Sequence, residues 1–211
     1  MEPIVKMTGI VKQFPNVLAL KGVDFSVEKG EVHSLVGENG AGKSTLMNIL
    51  YGVLQPDLGE IYVRGQKQVI HSVRDAMHLG IGMVHQEFML APSMTVVENI
   101  ILGFEPNRRS VVDYDAAAEK IRALSEEYGL AIRPESRIID NSVGEAQRVE
   151  IIKALYRGAE VLILDEPTAV LTPQETEDLF KVIRSLKEHG KTVIFISHKL
   201  QEVLAISDRI T

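Results

Sequence analysis

Hydrophobic and polar positions fall into three rhythms along the 211-residue chain. Near the N-terminus, Val23 to Val27 alternates apolar with polar residues, as a half-buried strand does. Val32-His33-Ser34-Leu35-Val36 reads as a second strand running straight into Gly37, and Ile61 to Arg64 and Ile81 to Val84 as further ones. A helix is expected from Lys43 to about Tyr51, stopped by Gly52 and then Pro56. In the middle the spacing becomes helical. Ala117, Ile121, Leu124 and Tyr128 share one face of a helix from Asp115 to Tyr128, ended by Gly129. A second helix is expected over Gly144 to Tyr156, with Pro134 and a polar stretch between the two. Residues from roughly 90 to 157 therefore read as a helical insertion. The last third alternates strand with helix. Val161-Leu162-Ile163-Leu164 is a continuous apolar run, the mark of a strand buried on both faces of a parallel sheet. Thr172-Pro173-Gln174-Glu175 opens a helix with a capping box and a proline in its first turn, Leu179, Val182, Ile183 and Leu186 form its stripe, and Gly190 ends it. Val193 to Ile196 is another buried strand, a helix follows from about Lys199, and Arg209-Ile210-Thr211 reads as the start of one more strand, so the sheet is expected to run on past the chain's end.

This alternation implies an α/β fold. Composition narrows what it can do. Apolar residues make up 45% and charged residues 25%, the balance of an ordinary globular domain. Cysteine is absent, which excludes disulfides, thiolate metal sites and cysteine nucleophiles. The net charge of −6 gives no bulk attraction to nucleic acid or anionic lipid. No apolar run approaches the ~18 residues needed to span a bilayer, and Met1-Glu2-Pro3 lacks a signal peptide's basic start. The expectation is a soluble intracellular protein that reaches any membrane through a partner.

Two stretches carry chemistry. Gly37-Glu38-Asn39-Gly40-Ala41-Gly42-Lys43-Ser44-Thr45 fits the phosphate-binding pattern G-x-x-x-x-G-K-[ST], between an apolar strand and a helix. Glycines let the backbone wrap phosphates with its N–H groups, and the helix N-terminus adds partial positive charge. Lys43 would reach the β and γ phosphates, and the Ser44 hydroxyl would ligate Mg2+. The second stretch is Asp165-Glu166, at the end of the buried run from Val161. Adjacent acids often do no more than cap a strand in solvent. Beside a phosphate loop, Asp165 is placed to hold Mg2+, and Glu166 to orient or deprotonate the attacking water.

In order, the phosphate loop, Gln86, Ser142-Val143-Gly144-Glu145, Asp165-Glu166 and His198 resemble the nucleotide-binding cassette of ABC transporters over nearly the whole chain. The resemblance implies a P-loop NTPase core with a parallel sheet, an N-terminal antiparallel β subdomain and an inserted helical subdomain. Residues 1–211 would form one ATP-binding domain, its core from 1–89 and 158–211 and its helical subdomain from about 90–157, cut short at the C-terminus. It implies ATP and Mg2+ as cofactors and ATP hydrolysis as the activity. Phe14 matches the aromatic that stacks on adenine, although a lone phenylalanine is also an ordinary core residue. Gln86 matches the glutamine that touches Mg2+ and water and senses the membrane partner, and His198 the histidine that contacts the γ-phosphate. Ser142 and Gly144 match the clamp on nucleotide bound to a second cassette. His85, His33, His71, His78 and His189 are read as structural or surface residues. Two departures stand out: Asn141 replaces the usual leucine of the signature, and Thr172 stands where an aspartate is usual.

Gly82-Met83-Val84-His85-Gln86 and Glu166-Pro167-Thr168-Ala169-Val170-Leu171-Thr172-Pro173 look like the importers of simple sugars and nucleosides, whose ATPase chains carry two cassettes in tandem. That branch implies a second cassette, in tandem or as a dimer, transmembrane permease subunits, a solute-binding protein acting indirectly, and no nucleic acid. It places the chain in the cytoplasm, peripheral on the inner face of the membrane. The competing readings are an ABC ATPase acting outside transport and a regulatory cassette that does not hydrolyse. A GTPase is disfavoured because no N-K-x-D motif occurs.

Overall fold

The computed structural model describes residues 3–108 and 111–211; Met1 and Glu2, on which part of the signal-peptide reading falls, lie outside them. The chain opens with a long hairpin, β1 (Val5–Phe14) and β2 (Val17–Val27), followed by β3 (Val32–Val36) and α1 (Lys43–Leu50). Next come β4 (Leu58–Val63), β5 (Gln66–Gln68), α2 (Val73–His78), β6 (Ile81–Val84) and α3 (Val96–Ile101). A small hairpin, β7 (Asn107–Arg108) and β8 (Val111–Val112), leads to α4 (Tyr114–Tyr128) and α5 (Val143–Tyr156). The chain ends with β9 (Val161–Asp165), α6 (Pro173–Glu188), β10 (Thr192–Ser197), α7 (Leu200–Ile206) and β11 (Arg209–Ile210). One sheet is antiparallel, in the order β2-β1-β4-β5. The other is parallel, in the order β11-β3-β10-β9-β6.

Side-chain alternation along the parallel strands divides the interior into two cores. Ile194 and Ile196 of β10, with Val161 and Ile163 of β9, face α1 and the antiparallel sheet. Val193 and Phe195, with Leu162 and Leu164, face α4, α5 and α6. Every residue of β9 and β10 is buried, as the uninterrupted apolar runs require.

The helices start where their caps say. The Thr172 hydroxyl accepts from the Glu175 N–H, Glu175 reaches back to the cap backbone, and Pro173 fills the first turn. Gly129 ends α4 in the left-handed conformation, at φ 67°. Some elements escape the pattern of residues. β2 begins at Val17 rather than Val23, because Val17 and Leu18 lie exposed at the hairpin tip. β1 is broken by register shifts between Met7 and Ile10 and again near Lys12, which blur its alternation. Both α2 and α3 are six-residue helices, too short for a visible period, although the Thr95–Glu98 capping box marks α3. No helix among the described residues is long and apolar enough to cross a membrane.

Phe195 is fully buried in β10 and meets Phe180 of α6 edge to face, with ring centroids 6.2 Å apart. Phe195→Ala is expected to cost about 3–5 kcal/mol, read as a lower urea midpoint at unchanged slope.

Candidate functional site

The parallel strands converge at their C-terminal ends, and there the polar residues gather. β3 delivers the chain into the loop 37–42, which closes against α1. Gly42 caps α1 at φ 91°, and a Cβ there would stand 2.8 Å from Leu20 Cδ2 and 2.9 Å from the Ala19 carbonyl. Only glycine satisfies both constraints. Among the described residues, the backbone N–H groups of Gly40, Gly42, Lys43, Ser44 and Thr45 have no protein acceptor. They surround the positive end of α1, so the loop is a cluster of free donors suited to an anion. Lys43 is buried and folds back over the loop, its ammonium donating to the carbonyls of Gly37 at 2.7 Å and Glu38 at 2.9 Å.

Asp165 is the last residue of β9. The Ser44 hydroxyl donates to its Oδ1 at 3.3 Å, which joins the two oxygens expected around a cation. Burial pushes the Asp165 carboxyl above its usual range; the Ser44 hydrogen bond opposes that shift, and the neighbouring Glu166 charge adds to it. Glu166 follows at φ 45°, an unusual conformation for a non-glycine residue, held by its N–H to the Ile196 carbonyl at 3.0 Å. That turn aims the carboxylate away from the sheet: its Oε1 lies 3.1 Å from His198 Nδ1, beyond the end of β10. Glu202 of α7 ties the two loops together, its Oε2 accepting from Thr168 Oγ1 at 2.5 Å and from Ser197 Oγ at 3.2 Å.

Asn39, Gly40, Lys43, Ser44, Gln86 and Glu166 line one open, polar cavity of about 330 Å³. Glu38 and Ala41 lie on the loop itself, whose turn is closed by the Ala41 N–H to the Glu38 carbonyl. No cluster of three or more His, Cys, Asp or Glu suited to a metal occurs among the described residues. A divalent cation at Ser44 and Asp165 therefore has to complete its shell with water or phosphate oxygens, as Mg2+ commonly does. The free N–H donors and this oxygen pair fit a nucleotide phosphate with its metal.

Of the expected residues, Gly37, Glu38, Ala41, Asp165 and His198 adjoin residues of this lining without belonging to it, and Phe14, Ser142 and Gly144 lie elsewhere. Phe14 is exposed at the tip of β1, with the Lys12 ammonium 5.9 Å above its ring. Ser142 and Gly144 sit at the N-terminus of α5, where the Ser142 side chain accepts from the Glu145 N–H and Glu145 returns the bond. Asn141 accepts from Ser136 Oγ at 3.0 Å, so the amide in the leucine position is used as a polar tether. The sequence reading missed Ala19, which reaches the cavity from β2, and Glu202, whose tie joins residues far apart in the chain. Of the other histidines, His33 is buried with its ring 5.0 Å from that of Phe25, and the half-buried His85 is edge-on to Tyr51.

The sequence pattern of the ABC transporter family matches residues 20–169. A nucleoside import ATP-binding protein of Lactococcus lactis subsp. cremoris is 52% identical over 210 residues, covering 100% of this chain and 42% of its own length. A guanosine import ATP-binding protein of Bacillus subtilis is 52% identical, again over all of this chain and 41% of its own. A ribose import ATP-binding protein of Rubrobacter xylanophilus is 49% identical, with 43% of its length covered. The chain thus spans less than half the length of these curated relatives. Among solved structures, a nucleotide-free ATP-binding cassette from an ABC transporter superposes with a TM-score of 0.87 at 30% identity, covering 98% of this chain and 86% of that one.

The raised Asp165 pKa fixes the sign of a pH effect. A carboxyl that binds its proton more tightly folded than unfolded loses stability as pH rises from the unfolded pKa of about 4 through the higher folded value. Asp165→Asn is therefore expected to raise the urea midpoint at neutral pH, with the gain shrinking as titrations approach about pH 4. A gain independent of pH would show that the ionised carboxylate is not the source.

Proposed function

The chain belongs to the ABC transporter family, and from that premise we propose that it is the ATP-binding and ATP-hydrolysing cassette of an importer for a nucleoside or a simple sugar. The observation that carries this reading is the meeting of Lys43, Ser44, Gln86 and Glu166 around one cavity, with Asp165 bonded to Ser44 and His198 to Glu166. The solute class follows from relatives named for nucleoside, guanosine and ribose import.

In this reading the free N–H groups of Gly40 and of Gly42 to Thr45 take the phosphate oxygens, and Lys43 turns from its own loop carbonyls to the β and γ phosphates. Ser44, Asp165 and Gln86 would hold Mg2+, which when bound would supply neutralisation of phosphate charge. Glu166 accepts the proton of the attacking water, and His198 keeps that carboxylate oriented while reaching the γ-phosphate. Phe14 closes over adenine from the hairpin tip. Ser142 and Gly144 serve the nucleotide of a second cassette, in tandem or as a dimer, so each half-site waits for its partner. The remaining partners are membrane permease subunits and, through them, a solute-binding protein. The chain then works in the cytoplasm on the inner face of the membrane. The Glu166–His198 pair favours hydrolysis over a purely regulatory cassette.

Glu166→Gln is expected to retain ATP affinity while turnover falls by roughly 10²-fold or more; turnover near wild type refutes the assignment of the base. Lys43→Ala should abolish ATP binding in a calorimetric titration, and an unchanged dissociation constant would defeat the phosphate-site reading. Sedimentation of the Glu166→Gln chain should show a dimer only with Mg-ATP. A monomer under both conditions counts against the paired half-sites.

A further inference from the structure

The N-terminus of α5 is held by a side chain from another helix. The Gly144 N–H donates to Glu175 Oε1 at 3.2 Å. The other oxygen of the same carboxylate accepts from Thr172 N at 3.0 Å and Thr172 Oγ1 at 2.8 Å, so Glu175 caps α6 and grips α5 at once. The carboxylate sits close over this glycine: a Cβ on residue 144 would stand 2.9 Å from Oε1 and push the Glu175 side chain aside. Beside this contact lies a cleft of about 400 Å³ between α5 and α6, lined among others by Arg148, Leu171 and Lys181. Gln147 reaches this cleft with 2% of its surface exposed, yet neither its Nε2 nor its Oε1 has a protein partner. A buried amide left unpaired is costly, which makes the α5–α6 seam a junction held at its rim and unsatisfied within.

We propose that Glu175 is a latch: it occupies the Gly144 N–H with the chain's own carboxylate, and must let go before that N–H can bind a phosphate oxygen. This rests on the reading of Ser142 and Gly144 as the clamp for a second cassette's nucleotide. The positive end of α5 attracts either anion, but one N–H cannot serve both, and carboxylate and phosphate repel each other. Closure of two cassettes then has to displace Glu175, which keeps its bonds to Thr172 and so returns to a purely capping role. The latch holds the clamp shut against stray anions and sets a threshold for closure.

The test uses Glu175→Gln, which keeps an acceptor and suits the third position of a capping box while removing the charge. Inorganic phosphate is titrated into the 15N-labelled chain and its variant, with the Gly144, Gly40 and Gly42 amide signals followed together. The expected result is an apparent affinity at Gly144 about two- to fivefold higher in the variant, the size of a charge effect at a helix end, with the loop glycines unchanged. Equal or weaker response at Gly144 overturns the latch. Absence of any response at Gly40 and Gly42 in both chains instead overturns the phosphate-loop reading and leaves the Gly144 comparison intact. Amide exchange at Gly144 gives a second readout without phosphate: Glu175→Ala should speed it, and unchanged exchange also sinks the proposal.

Discussion

Strands β9 and β10 are buried on both faces, so the parallel sheet has no lateral surface on which polar chemistry can stand. Groups that need water or a charged ligand can leave it only at the strand ends. This constraint places Asp165, Glu166 and His198 where they are: each lies at or just past the end of an apolar strand run. It also explains why the site is assembled from neighbours in space that are distant in sequence. β9 lies between β6 and β10, so the residues that continue past those three strands, Gln86, Glu166 and His198, emerge along one edge above the loop that follows β3.

The same burial makes the strand ends rigid and the loops beyond them free, and the structure restrains those loops through side chains. Glu202 joins the loop after β9 to the end of β10 through Thr168 and Ser197, and the Lys199 ammonium reaches the Thr168 carbonyl at 3.3 Å. Glu166 can hold a left-handed backbone only because its N–H is fixed to Ile196 and its carboxylate to His198. Positioning here is a property of α7 as much as of the strands.

Much of this was legible in the residues because the relevant signals are contiguous. The loop from Gly37 to Thr45, the apolar run into Asp165 and the capping box at Thr172 each announce backbone geometry within a few positions. The ABC resemblance, which depends on motif order, agrees with the family match over residues 20–169. What stayed hidden depends on tertiary placement. The bulges of β1 interrupt its alternation, so its pairing with β2 and β4 cannot be read from period alone. Ala19 reaches the cavity because Gly42 packs against β2, and nothing near Ala19 in the sequence predicts that approach.

Two helix N-termini in this chain show how one local device serves opposite ends. α1 begins at a glycine with no side-chain cap, leaving its first N–H groups free beside a cavity. α5 begins with a complete capping box, and its Gly144 N–H is taken by Glu175 as well. A helix end stripped of caps is ready for an anion at once, whereas a satisfied one must exchange an internal partner for an external one. Under the proposed reading this difference in preparation orders the two sites: the loop at α1 would fill alone, and α5 would engage only when something displaces a contact already made. On that reading, binding first and closing second would follow from which of these backbone donors the fold leaves unpaired.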